Sequence, residues 1–154
     1  MEENTAHTKK AETCVELQCS AHKFFEFFTT KAYLMPQICP EFISSVQTVK
    51  GDWGDPGSVR VWHYVAGNFE TSKEKIEAID KQNNTVTFIA LEGDIANQYP
   101  VFKFTLGTTA KDEGCSVKGS VEYEKKTEAT PAPAKYLDLV GLLSKRIENY
   151  LLKR

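Results

Sequence analysis

The sequence predicts an α+β fold in which a curved antiparallel sheet wraps around one long C-terminal helix. From Phe42 to Lys125, apolar and polar residues alternate in six segments separated by short polar turns, which is typical of antiparallel strands. From Thr130 to Arg154 the apolar residues recur at i, i+4, i+7 and i+11, which is typical of an amphipathic helix about 30 Å long. We expect this helix to cover the concave face of the sheet, because no other predicted element is long enough.

The composition predicts a single globular domain, residues 11–154, that follows a disordered tail, residues 1–10. The chain has 154 residues and a formal charge of −2 with no basic stripe, so nucleic acid is not an expected partner. No apolar run approaches the roughly 18 residues of a membrane span, and the tail lacks the apolar core of a signal peptide. The cysteines and histidines have no metal-ligand spacing. We therefore expect a cytoplasmic protein with reduced thiols, no metal and no cofactor.

The N-terminal part predicts a strand followed by two short helices. Residues 12–19 alternate as a half-buried strand, and Ser20 is a good N-cap for a helix over 21–29. This helix carries Phe24, Phe25, Phe27 and Phe28. Four rings exceed a one-sided stripe, which favours a helix wedged into the core. A second helix over 31–39, limited by two prolines, has Leu34 and Ile38 on its apolar side.

The six predicted strands are 42–50, 59–65, 70–80, 85–91, 99–109 and 116–125. The glycine-rich loop 51–57 lies between the first two. A phosphate-binding loop would end in Gly-Lys-Ser/Thr and lead into a helix. Here Gly57 and Ser58 lack the intervening lysine and a strand follows, so the pattern favours a structured hairpin loop. In the final helix, Thr130 is the expected N-cap, and Gly141 indicates close approach by another element.

The inner faces of the strands are expected to be rich in aromatic residues. These are Trp62, Tyr64, Phe69, Phe88, Phe102, Phe104 and Tyr123. Periodicity alone does not decide which face of 59–64 points inward; we choose the aromatic face, because a sheet under one helix leaves a wide gap. That choice turns Arg60 inward, where Glu74, beside Ile76, is the expected partner. Three interpretations stay open: a ligand anchor, a structural ion pair, or an Arg60 that reaches solvent.

Eight short motifs stand out along the chain: Lys31-Ala-Tyr-Leu34, Pro36-Gln-Ile-Cys-Pro40, Gly51-Asp-Trp-Gly54, Gly57-Ser-Val-Arg60, Lys73-Glu-Lys-Ile-Glu-Ala-Ile-Asp80, Leu91-Glu-Gly-Asp94, Val121-Glu-Tyr-Glu-Lys125 and Tyr150-Leu-Leu-Lys153. Together, and in the same order as in the family, they resemble the major latex protein family within the Bet v I superfamily. The resemblance covers about residues 11–154 and implies a seven-stranded helix-grip fold with a large cavity and no cofactor. It also implies that Arg60, Trp62 and Tyr64 face the cavity. Gly119 departs from the bulky aromatic of relatives, which predicts a locally larger cavity.

The resemblance implies a cytosolic carrier of small hydrophobic or amphipathic ligands, such as lipids, steroids or phenolics, in plant defence or stress responses. The alternative is a cavity enzyme of the same fold that catalyses condensation or isomerisation. Lys118 falls on the outer face, and no acid–base set is evident beyond Arg60, Glu74 and Tyr123. A hormone receptor ranks last, because the gate and latch motifs of abscisic acid receptors are absent. A monomer is expected, with a dimer as the alternative. The predicted ligand-binding residues are Leu34, Ile38, Arg60, Trp62, Tyr64, Glu74, Ile76, Phe88, Ala90, Phe102, Phe104, Val121, Tyr123, Tyr136, Val140 and Leu143.

Overall fold

The computed structural model, which describes residues 8–153, has one seven-stranded antiparallel sheet and one long helix. The elements are β1 (Lys9–Leu17), α1 (Ala21–Thr30), a 3₁₀ turn (Ala32–Leu34), α2 (Met35–Ile38), β2 (Ile43–Lys50), β3 (Val59–Ala66), β4 (Asn68–Asp80), β5 (Thr85–Gly93), α3 (Asp94–Gln98), β6 (Val101–Ala110), β7 (Cys115–Glu124) and α4 (Ala134–Leu151). The strand order is β1-β7-β6-β5-β4-β3-β2. The predicted fold class is confirmed.

Helix α4 contacts β1 and β7 near one edge of the sheet and β3 near the other, as well as α1 and α2. A single helix can contact strands so far apart in the order only if the sheet curves around it. Ile147 is fully buried on the inner face of α4, and Tyr136 and Leu143 are nearly so. The helix therefore closes the core, as its periodicity predicts. Among the residues described, no helix is long and apolar enough to cross a membrane.

Helix α1 is wedged into the core, as its phenylalanine cluster predicts. The hydroxyl of its N-cap, Ser20, accepts a hydrogen bond from the backbone N–H of Lys23 at 3.2 Å. All four phenylalanine rings are buried, and the helix packs against β6, β7 and α4. Rings buried on several sides of a ten-residue helix fix its position between the sheet and the long helix. This placement forms one end of the space under α4.

The structure departs from the sequence prediction most clearly at the starts of β1 and α4 and in one additional helix. Strand β1 begins at Lys9, which pairs with Tyr123 of β7, so the predicted tail 1–10 overlaps the sheet; residues 1–7 lie outside the described part. Helix α4 begins at Ala134, and Thr130 instead accepts a hydrogen bond from Thr127 at 3.3 Å. Helix α3 was not predicted at all. The start of β1 depends on its pairing with β7, and the start of α4 follows a local turn that uses Thr130. The spacing of apolar residues does not indicate hydrogen bonds of either kind.

The inward position predicted for Phe69 is wrong, and the alternation along β4 is interrupted further on. Phe69 is 70% exposed, because it has the opposite strand parity to the buried Glu70. A register shift between Ile76 and Ala78 then reverses the parity, so Ala78 is exposed while Ile79 packs against the core. The inner face of β4 is consequently more polar than predicted at its beginning.

The position of Gly141 has a testable consequence for stability. A Cβ atom built on Gly141 would lie 3.9 Å from Cγ2 of Val15, which is an ordinary contact, so the predicted close approach is wrong. We expect Gly141→Ala to raise the free energy of unfolding by about 1 kcal/mol, because alanine is the better helix former. Thermal and chemical unfolding should show a higher midpoint. A lower midpoint would show that β1 needs the glycine.

Candidate functional site: a cavity under the long helix

An apolar cavity of about 120 Å³ lies between the inner face of the sheet and α4. Its lining comprises Phe28, Ile43, Trp62, Tyr64, Ser72, Glu74, Phe88, Ile95, Phe102, Phe104, Val121, Tyr136, Leu137, Leu139, Val140 and Leu143. This volume is below the roughly 300–1,000 Å³ of a typical ligand pocket. Aromatic rings take up the space: Phe88 and Phe104 stack with their centroids 6.3 Å apart, and Phe102 meets Tyr136 edge to face at 5.8 Å. Among residues 8–153, the space under α4 is therefore smaller than the large cavity that the resemblance implies.

The ring of Phe104 also occupies the space above Gly119. A Cβ atom on Gly119 would lie 3.1 Å from Cε1 of Phe104. The missing side chain therefore lets Phe104 lie against β7, and the predicted local enlargement of the cavity is not seen. Access for a larger ligand would depend on movement of this ring.

Ten predicted site residues line the cavity: Trp62, Tyr64, Glu74, Phe88, Phe102, Phe104, Val121, Tyr136, Val140 and Leu143. Six others lie outside its lining: Leu34, Ile38, Arg60, Ile76, Ala90 and Tyr123. Ile76 and Tyr123 belong to the packed core, and Leu34, Ile38 and Ala90 pack against it. Sequence reasoning missed six lining residues, namely Phe28, Ile43, Ser72, Ile95, Leu137 and Leu139. Ser72 could have been found, because it lies two residues before Glu74 on the same strand and therefore points to the same face.

One side of the cavity carries a buried hydrogen-bond network, the Glu70 cluster. It consists of Tyr64, Glu70, Ser72, Gln98, Lys135 and Tyr136. Oε1 of Glu70 accepts hydrogen bonds from the phenols of Tyr64 at 2.9 Å and Tyr136 at 2.8 Å. Its Oε2 accepts one from Nζ of Lys135, which is 36% exposed. The cluster thus links β3 and β4 to the first turn of α4.

The remaining bonds of the Glu70 cluster leave its polar groups mutually satisfied. The Ser72 hydroxyl bonds to the Tyr64 phenol at 2.9 Å and accepts from the N–H of Ile95 at 3.4 Å. Nε2 of Gln98 donates to the Tyr136 phenol at 3.1 Å. Burial, and in addition the Glu70 carboxylate, raise the pKa of both phenols, so both stay neutral. Sequence reasoning missed Glu70, although it shares the parity of Glu74.

Arg60 is 1% exposed and lies behind the cavity wall, so the interpretation that it reaches solvent is wrong. Its Nη2 donates to the carbonyl oxygen of Thr29 at 3.2 Å, while Nε and Nη1 have no hydrogen-bond partner among the described residues. The Cζ atom lies 5.0 Å from the ring centroid of Trp53 and 5.3 Å from that of Phe88. Cation–π contacts therefore replace much of the guanidinium's lost hydration. Burial lowers the pKa of Arg60.

Glu74 lies directly opposite Arg60 in the β3–β4 register, yet it lines the cavity and bonds elsewhere. Its Oε1 accepts a hydrogen bond from Nε1 of Trp62 at 2.6 Å. No ion pair within 4.0 Å joins it to Arg60 in the described structure. Burial raises the pKa of Glu74, and the Arg60 charge opposes that rise. The two charges interact across a gap and not through a direct salt bridge.

The glycine loop that precedes β3 is a structured hairpin loop. The N–H of Gly57 donates to the carbonyl oxygen of Ile76 at 2.8 Å, and the N–H of Ile76 donates to that of Ser58 at 3.0 Å. These bonds attach the loop to β4 and place Trp53 over Arg60. Within residues 8–153, no group of three or more His, Cys, Asp and Glu side chains is arranged to hold a metal ion.

A sheet of seven strands around a long helix, with an apolar cavity between them, defines the class of helix-grip proteins. The chain belongs to the Pathogenesis-related protein Bet v 1 family, whose sequence pattern it matches over residues 6–154. Among its relatives, MLP-like protein 43 of Arabidopsis thaliana is 38% identical over 99% of this chain and 98% of the relative. MLP-like protein 34 of the same plant is 37% identical over 98% of this chain, which spans 49% of that relative. These similarities place the chain among the major latex proteins.

Solved structures agree with this placement. Major latex-like protein 151 from Panax ginseng has a TM-score of 0.89 and 32% identity, over 94% of this chain and 98% of that chain. Norcoclaurine synthase from Thalictrum flavum, in complex with dopamine and hydroxybenzaldehyde, has a TM-score of 0.76 over 97% of this chain and 89% of that chain. Its identity is only 20%, so this second likeness shows the fold alone.

Proposed function

We propose that the protein binds and carries small hydrophobic or amphipathic ligands in the cavity under α4. The observation that carries this proposal is the apolar, aromatic lining, which is interrupted by a few polar side chains. Pockets of this composition bind the apolar body of a ligand by burial and orient it through one or two polar groups. Tyr64, Ser72 and Tyr136 lie on one side and Glu74 lies with Trp62 on another, which suits a ligand with a polar end.

The small free volume favours ligand binding that is coupled to ring movement. Phe104 is only partly buried. Its ring stacks on Phe88 and lies over Gly119, which has no side chain to hold the ring in place. Rotation of this ring would enlarge the cavity without breaking a hydrogen bond. Lipids, steroids and phenolics, the ligands that the resemblance implies, are all compatible with such an adaptable apolar site.

A catalytic function of the same fold, condensation or isomerisation, receives less support. Norcoclaurine synthase shares the fold, but general acid–base catalysis needs polar groups within hydrogen-bond reach of a substrate. Here the phenols of Tyr64 and Tyr136 donate to Glu70, and Lys118 lies on the outer face beside Glu12, at 3.4 Å. This arrangement favours orientation of a ligand over proton transfer to it.

We further propose a cytoplasmic, monomeric protein with a role in plant defence or stress responses. The name of the matching family, pathogenesis-related, and the plant sources of the relatives support this setting. The ligand is therefore expected among the apolar metabolites of a plant cell. Native mass spectrometry of protein purified from its own tissue would identify it.

Binding of a fluorescent apolar probe tests the proposed function. We expect a micromolar or tighter dissociation constant, which corresponds to about −8 kcal/mol. Leu139→Trp, which adds a large ring at a cavity-lining position, should weaken binding at least about tenfold. Fluorescence titration, together with a panel of lipids, steroids and phenolics, measures both effects.

The matched control is Leu142→Trp on the same helix, at a residue that is 48% exposed to solvent. It should leave probe affinity unchanged, because Leu142 does not line the cavity. Thermal unfolding of both variants establishes that they remain folded. Equal weakening in the two variants, or failure of the whole panel to bind, would argue against a binding role for this cavity.

A further inference from the structure

Arg60 places a positive charge, with no carboxylate bonded directly to it among the described residues, immediately behind the cavity wall. It is almost fully buried, two of its donor nitrogens lack a partner within residues 8–153, and its one hydrogen bond goes to a neutral carbonyl oxygen. Buried guanidinium groups are ordinarily paired with carboxylates through direct hydrogen bonds. The charge that balances Arg60 must therefore come from a group that acts across the wall.

Glu74 is the group in position to do so. It lies opposite Arg60 on the neighbouring strand, lines the cavity and is held by the indole N–H of Trp62. Ala90 of β5, its other cross-strand neighbour, carries no charge. Glu70 shares its strand face, but that carboxylate is paired with Lys135. Arg60 is thus the charged group that acts on Glu74, and the carboxylate meets the cavity contents directly.

We propose that the cavity binds an amphiphile with a carboxylate headgroup next to Glu74, and that the headgroup enters together with one proton from solvent. The proton neutralises Glu74, whose hydroxyl then donates a hydrogen bond to the ligand carboxylate. Arg60, behind the wall, becomes the counter-charge of the ligand instead of Glu74. This inference rests on the proposed binding function and specifies the ligand class and the polar end of the site.

The physical reason is that the site tolerates one negative charge and not two. Two carboxylates at hydrogen-bond distance in an apolar site cannot both stay ionised, so one takes up a proton. Burial raises the pKa of Glu74 before any ligand enters, which makes Glu74 the group that gains the proton. Because the bound state holds one more proton, affinity for a carboxylate rises as the pH falls, and affinity for a neutral alcohol does not change.

Calorimetric titration with dodecanoate and dodecanol, below their aggregation concentrations, tests this inference. The dodecanoate affinity should fall by up to about tenfold for each unit of rising pH, the limit for one coupled proton. Repeating the titration in buffers of different ionisation enthalpy should count up to one proton taken up with dodecanoate and none with dodecanol. Protein that binds both compounds without proton uptake would overturn this inference and leave the proposed function standing.

Two variants test whether Glu74 takes up the proton and whether Arg60 is the counter-charge of the ligand. Glu74→Gln should bind dodecanoate without proton uptake or pH dependence, because its amide donates permanently. Arg60→Met should reduce dodecanoate affinity at least tenfold relative to dodecanol. The matched control, Glu77→Gln, changes an outward carboxylate of β4 that pairs with Lys103, and should behave as the wild type.

The outcomes separate the two levels of the proposal. If Glu74→Gln takes up as many protons with dodecanoate as the wild type, Glu74 is not the group that gains the proton, and the inference is overturned. This measurement tests the inference even if Arg60→Met does not fold. Failure of both amphiphiles to bind the wild type would overturn the inference and count against the proposed function as well.

Discussion

Glu70→Ala is expected to lower the free energy of unfolding by about 3–5 kcal/mol, the usual cost of removing one partner from a buried charged network. The substitution leaves the phenols of Tyr64 and Tyr136 and the ammonium of Lys135 without their shared acceptor. Both phenols lie inside the protein, where an unsatisfied donor costs about 1–3 kcal/mol. For a chain of this size, the melting temperature should fall by about 10 °C.

Glu70→Gln is the matched control. Its amide oxygen can still accept both phenol hydrogen bonds, so only the interaction with the partly exposed Lys135 is lost, at about 1 kcal/mol. Lys135→Met should cost a similar amount. Urea unfolding of the three variants measures these differences. If alanine and glutamine at position 70 proved equally mild, the network would not hold α4 to the sheet as the structure indicates.

The strands and the long helix could be predicted because their burial is periodic. Val86 and Phe88 on β5 and Val117 and Val121 on β7 are buried where alternation places them. On α4, Tyr136, Leu143 and Ile147 are buried along the predicted stripe. Regular elements with one apolar face encode their orientation locally, and ten of the predicted site residues line the cavity. On β3 periodicity leaves the inward face open, and the family resemblance supports the choice of Trp62 and Tyr64.

The polar part of the site could not be predicted by the same reasoning. Phe69 was assigned inward because it is apolar, yet parity buries Glu70. Two of the three partners of the Glu70 carboxylate, Lys135 and Tyr136, lie 65 and 66 positions away in the chain. The surroundings of Arg60 depend likewise on Trp53 from a loop and Thr29 from α1. Such contacts arise only after the chain has folded, so no local pattern reports them.

Gly93→Ala is expected to lower the free energy of unfolding by about 3–5 kcal/mol, because two unfavourable effects add. Gly93 precedes α3 with φ 105° and ψ −160°, a backbone conformation that is essentially restricted to glycine. A Cβ atom there would also lie 2.3 Å from the carbonyl oxygen of Thr71 and 2.9 Å from Cα of Ser72. Because both neighbours are backbone atoms of β4, that strand would have to move away from the end of β5, where α3 begins.

This movement would reach the cavity, since Ile95 of α3 lines it and bonds through its N–H to the hydroxyl of Ser72. Probe affinity should therefore fall together with the melting temperature. The matched control is Gly67→Ala, in the β3–β4 turn, where φ is +79° but no atom lies within 4 Å of the added Cβ. It should cost only the conformational strain, about 1–2 kcal/mol, and leave probe affinity unchanged. Equal losses of stability in the two variants would mean that backbone strain alone, and not the contact between α3 and β4, fixes this side of the cavity.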